Sequence, residues 1–191
     1  MKAIAVAVVL ASLAALLAGC GSSKKAAPPP TPPLPNARTP DQWARRIVDL
    51  FLRPLNRDLV VLNNYDNPQI RLYIASRNAE TLRLIHQRLG DLQDCTGKLA
   101  TIGPPPSGQV ALAQVDRHFK TACKSYEDVA GKLLEATDSL ASGDADNATR
   151  GVRLVANARP ASRRAASELV AGIKVAQSLP PFRRAGLKPS V

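Results

Sequence analysis

From residue 39 onward, apolar side chains recur at intervals of three and four, the spacing that lines one face of an α-helix. Thr39-Pro40-Asp41-Gln42 opens the first run: Thr39 stands at an N-cap, Pro40 at the first helical position and Gln42 at N3, completing a capping box. Trp43, Ile47, Leu50, Phe51, Leu55, Leu59 and Leu62 form its stripe, with a kink expected near Pro54, which lacks a backbone donor and crowds the preceding turn. Asn63 to Asn67 read as a turn, and Asn67-Pro68 restarts a helix. The second predicted helix carries Ile74, Leu82, Ile85, Leu89, Leu92, Cys95, Leu99 and Ile102 and stops at Gly103-Pro104-Pro105-Pro106. Within it Ile70, Leu72 and Ile74 alternate as in a strand, but no other segment offers a strand partner, so helix is the expectation there too.

The third run is the cleanest: Leu112, Val115, Phe119, Cys123, Tyr126, Val129, Leu133 and Leu140. Ser142-Gly143-Asp144 ends it and caps a fourth helix with Val152, Val155, Ala158, Ala165, Leu169, Ile173 and Ala176, in which Pro160 marks a second expected kink. Asp49 and Arg53, Asp94 and Lys98, Asp116 and Lys120, and Asp128 and Lys132 are acid-before-base pairs at i,i+4, each worth about 0.2–0.5 kcal/mol on a helix surface. The expected fold is all-α, an up-down four-helix bundle over residues 39–179. Residues 180–191, with Arg183, Arg184 and Lys188, read as a flexible basic tail.

The pattern changes before residue 39. Lys2 precedes an uncharged stretch from Ala3 to Leu17, too short for a membrane span of about 20 residues but suited to a signal-peptide core. Leu17-Ala18-Gly19-Cys20 follows. These four residues resemble the lipobox of bacterial lipoproteins, and the resemblance covers the signal region alone. It implies a signal peptide over residues 1–19, diacylglyceryl attachment to the Cys20 thiol, and cleavage that makes Cys20 the first residue. Many bacteria add a third acyl group, a palmitate-type chain, and two or more chains suffice for stable anchoring. Residues 20–38 then form the lipidated cysteine and its tether, whose Pro-rich part favours polyproline II and spans roughly 50 Å at most.

With Cys20 assigned to lipid, Cys95 and Cys123 remain, and export places this even pair in an oxidising compartment. Both lie on the apolar stripes of consecutive helices, so an intramolecular disulfide is expected. A tight hairpin would set them about 10 Å out of register, so the bridge requires the third helix to overshoot the second by about two turns, with the proline run supplying the offset.

Charge and candidate chemistry narrow the function. The 191 residues carry 26 Lys+Arg against 15 Asp+Glu, a net charge of +11 that falls to +10 when Lys2 leaves with the signal peptide. A basic balance raises nucleic acid, but there are only seven aromatic residues (three Phe, three Tyr and one Trp), none interleaved with the bases, and an exported domain does not meet the usual nucleic acids. His86 and His118 fall on different turns of different helices, so no metal or other cofactor is expected. No Gly-x-Ser-x-Gly elbow is present, and the one adjacent acidic pair, Glu127-Asp128, points in two directions on a helix. Catalytic residues are therefore expected to be absent.

Arginines are the remaining candidates: Arg45 and Arg46 on the first helix and Arg150, Arg153, Arg163 and Arg164 on the fourth are possible anion-binding residues, since guanidinium groups pair bidentately with phosphate and carboxylate. The chain therefore reads as a non-enzymatic cell-envelope lipoprotein, lipid-anchored on the extracytoplasmic side of a bacterial membrane. Its role is that of a tethered structural or interaction module with an envelope protein or polymer as partner. The alternative is a receptor that binds anionic envelope polymers or lipid headgroups through its Arg-rich faces.

Overall fold

The computed structural model describes residues 39–188, so Cys20, the lipobox and the tether lie outside the described residues. Among the described residues all regular structure is helical. Helix α1 spans Pro40–Arg46 and runs through a π-helical segment, Ile47–Leu52, into α2, Arg53–Asn64. Helices α3 (Pro68–Ala75), α4 (Ala79–Gln93) and α5 (Cys95–Ile102) follow, then the long α6 (Val110–Ala141) and α7 (Ala145–Ser178), and last the short α8 (Pro180–Arg184).

Local chemistry sets the boundaries. The Thr39 hydroxyl accepts from the Gln42 backbone N–H at 3.2 Å while the Thr39 N–H donates to Gln42 Oε1 at 3.2 Å, so the expected capping box is formed. Asn67 caps α3 through Gln69 N–H, Asn78 caps α4 through Thr81 N–H, and Asp144 caps α7 through Asn147 N–H, each at 2.9 Å. Gly103, at φ 84° and ψ 170°, ends α5 in a conformation open almost only to glycine. Its carbonyl accepts from the Trp43 indole N–H at 3.1 Å, which ties the proline connection to the start of α1.

Several expectations need correction. The second predicted helix is three helices. Ser76-Arg77-Asn78 divides α3 from α4, with Arg77 in the left-handed region at φ 57°. Asp94 divides α4 from α5, where Glu127 Oε1 reaches across from α6 and accepts from Thr96 N–H at 2.6 Å. Pro54 acts one turn earlier than its own position: the π segment precedes it, with Arg53 N–H donating to Val48 O. The wider turn shifts the stripe, so Val48 is buried and Leu50 is 49 % exposed. Pro160 lies inside α7, which continues past it to Ser178. The supposed basic tail is ordered through Arg184: Phe182 is buried edge-on against Trp43 at 5.8 Å, and Arg184 Nη2 pairs with Asp41 at 2.7 Å. Val152, assigned to the fourth stripe, is 53 % exposed, because Gly151 occupies the position facing Leu140 and Ala136.

The described residues share one continuous core. Trp43 and Phe182 close one end, Phe51 and Phe119 meet at 5.5 Å farther along, and Tyr65 fills the other end against Leu133 and Thr137. The most extensive contact is between α6 and α7. Six of the eight buried residues on α7 are Gly151, Ala158, Ala161, Ala165, Gly172 and Ala176, and their small volume lets a neighbouring helix approach closely.

Candidate functional site

The two cysteines are joined: Cys95 and Cys123 form a disulfide with Cα atoms 5.1 Å apart, both side chains buried. Ile102 lies seven residues after Cys95 and Val110 thirteen before Cys123, so α6 overshoots α5 by about six residues, roughly 9 Å at the α-helical rise. That is slightly less than two turns. The bridge sits beside the Glu127 cap on α5, so one turn of α6 both links and caps the neighbouring helix.

The six candidate arginines do not form one site. Arg45 and Arg46 lie on α1, and the other four are spread along α7. Arg150 is engaged with Glu135 on α6. Arg153, Arg163 and Arg164 are exposed. Arg159, outside the candidate set, donates to Asp66, which also accepts from Arg71 Nη2 at 2.6 Å. Burial pushes the Asp66 carboxyl up, but the hydrogen bonds from Arg159 and Arg71 outweigh it and hold the group below the ordinary aspartate value. The i,i+4 pairs Asp49–Arg53, Asp116–Lys120 and Asp128–Lys132 are formed at 2.7, 2.6 and 2.5 Å. Lys98 departs from expectation: the helix break at Asp94 turns it to Asp91 at 2.8 Å and Asp58 at 3.8 Å.

The histidines have separate partners. His86 Nε2 lies 3.2 Å from Asp138, and His118 Nδ1 lies 2.8 Å from Glu168. Among the described residues no three His, Cys, Asp or Glu side chains stand close enough to hold a metal ion, and no helix is long and apolar enough to cross a membrane.

Sequence reasoning missed two buried polar groups. Asp58 is 3 % exposed, with Arg88 Nη1 at 3.3 Å; burial pushes its carboxyl above the ordinary value, Lys98 pulls it back, Asp91 adds to the push and Arg88 opposes it. Tyr65, read as a turn residue, is 2 % exposed and its hydroxyl stands 3.1 Å from Leu133 O and 2.7 Å from Thr137 Oγ1. Neither lies on a predicted stripe, so periodicity carried no signal for them.

A third feature also escaped. The wedge between α2, α3 and α4 is an open cleft of about 380 Å³ with mostly apolar walls. Val60, Tyr73 and Leu84 line it and are 55 %, 41 % and 41 % exposed. The available signal was their position off the core stripes of otherwise amphipathic helices. Its polar groups are the Glu80 carboxylate, the Asn64 amide, and the hydroxyls of Tyr73 and Thr81. A scan against protein-family models and searches of curated proteins and of solved structures found no match to this chain.

Proposed function

We propose that this chain is a non-catalytic, lipid-anchored helical module of the bacterial cell envelope, holding a partner rather than turning over a substrate. The observation that carries the reading is the buried Cys95–Cys123 disulfide, a cross-link suited to an oxidising, extracytoplasmic compartment. It agrees with the compartment that Leu17-Ala18-Gly19-Cys20 implies for an exported lipoprotein. The buried polar groups support a structural role: Asp58 is held between Arg88 and Lys98, and Tyr65 is bonded to Leu133 and Thr137.

The architecture proposed for the module is an up-down four-helix bundle, its second member divided into α4 and α5. Support comes from the order of contacts: Trp43 with Gly103 and Phe182 at one end, and Tyr65 with Thr137 and Arg77 with Ala141 at the other. Mass spectrometry of the membrane-extracted chain tests the anchor. A chain beginning at diacylated Cys20 is expected, with Cys20→Ala retaining Met1 to Gly19 unmodified; an unlipidated wild-type chain would sink the proposal.

A second reading, a receptor for anionic polymers or headgroups, is favoured by the exposed Arg153, Arg163 and Arg164 on α7. It predicts salt-sensitive retention of the chain on anionic envelope polymer, reduced when these three residues are changed to Gln. Retention that is indifferent to salt and to those changes would remove it.

A further inference from the structure

We infer that the α2–α3–α4 cleft is a binding site for a small organic cation with an apolar body, an aralkyl- or alkylammonium compound. The volume of about 380 Å³ falls within the range of small-molecule pockets, and the walls are apolar with a few polar groups, as such pockets require. Val60 on α2 and Leu84 on α4 both line the wedge and stay half-exposed.

The polar groups specify the head of the ligand. Asn64 spends an amide N–H on Val60 O at 2.7 Å, which leaves its amide oxygen as an acceptor. Glu80 lines the cleft, and its side chain makes no hydrogen bond or ion pair among the described residues. Tyr73 adds an aromatic ring, whose face attracts a cation. Acceptors, a carboxylate and a π-face together select a positively charged donor. No Lys or Arg lines the cleft among the described residues, so the Glu80 carboxylate is the ionised group on its wall.

This inference does not depend on the lipid anchor, and its test leaves that reading untouched. Three probes with one apolar body separate the contributions: 4-phenylbutylammonium, 4-phenylbutanol and 4-phenylbutyrate, measured by equilibrium dialysis against the full chain. The expected result is saturable one-to-one binding, tightest for the ammonium and weakest for the carboxylate. Val60→Trp fills the wedge and should abolish binding of all three. Glu80→Gln should reduce ammonium affinity about two- to fivefold, the scale of an exposed ion pair, and leave the alcohol unchanged. Circular dichroism verifies the fold of each variant, and Leu84→Trp replaces Val60→Trp if that variant loses helicity. Absence of saturable binding, carboxylate binding equal to ammonium, or binding that survives the Trp substitution would overturn the inference.

Discussion

Tyr65 shows how a single buried side chain shapes the behaviour of the folded chain. Burial pushes its phenol up to about 12, against the lowering effect of the Thr137 hydrogen bond, and burial alone pushes Tyr126 to about 12. An unfolded tyrosine ionises near pH 10, so between about pH 10 and 12 the unfolded chain has released protons that the folded chain still holds. Stability from these two groups is therefore complete below about pH 10 and falls as pH rises through that window. Urea unfolding across the alkaline range is expected to show this fall, and a flat profile would contradict it. Tyr65→Phe should cost about 1 kcal/mol at neutral pH and weaken the alkaline slope. Asp58 gives the opposite diagnostic. Its raised value means that burial outweighs Lys98 and Arg88, so the charged form is less favoured inside than in water. Asp58→Asn is expected to leave neutral-pH stability within about 1 kcal/mol of the parent or above it. The parent should gain on the variant as pH falls through the raised value toward the ordinary aspartate value and keep a constant advantage below it, because its folded state takes up the proton first. Matched acid denaturation curves check this.

At the scale of elements, helix ends were far more legible than helix continuity. Caps rest on residues within four positions of one another, and Thr39, Asn67 and Asp144 cap as their sequences imply. The breaks at Arg77 and Asp94 depend on partners far along the chain. Arg77 Nε donates to Ala141 O at 2.7 Å and its Nη2 engages Ser142 O, so a cation satisfies carbonyls at the negative end of α6. Gly143, at φ 80°, leaves room for that guanidinium, into which a Cβ there would run. The α6–α7 contact yields a direct prediction. A Cβ on Gly172 would stand 2.7 Å from the Phe119 ring and 3.0 Å from His118 Cβ. Gly172→Ala gains helix propensity of about 1 kcal/mol, but overpacking costs about 1–3 kcal/mol. Because Phe119 is fully buried and also packs on Phe51, the clash should win, and thermal unfolding should show a lower midpoint.

For the whole molecule, the links that join separate helices include the Cys95–Cys123 bridge and the closure of α8 on α1 through Phe182, Trp43, Arg184 and Asp41. The bridge closes a loop of separation 28, which corresponds to about 3–4 kcal/mol in the chain-entropy account. A Cys95→Ala/Cys123→Ala double variant is expected to lose stability of that order in urea while retaining its helical signal. An unchanged unfolding midpoint would show that the bridge does not restrict the unfolded chain as assumed. The pairing was legible because Cys95 and Cys123 fall on the apolar stripes of consecutive helices. The docking of Phe182 was not, since Pro180-Pro181-Phe182-Arg183-Arg184 has no periodic pattern and its burial depends on a Trp43 edge formed far away in sequence.

The sequence alone determined the helical class, the stripes that became the core of α6 and α7, the caps and the cysteine pairing. Each rests on periodicity, short-range hydrogen bonding or the fall of two cysteines on adjacent stripes. Tertiary structure decided where the second helix divides, how the π segment exchanges Val48 for Leu50, and which acids and bases meet. It also decided that three helix faces line an open apolar cleft in which Glu80 has no partner among the described residues. These outcomes depend on the volume and charge of residues tens of positions apart, and a hydrophobic pattern read along one helix contains no record of what packs against it.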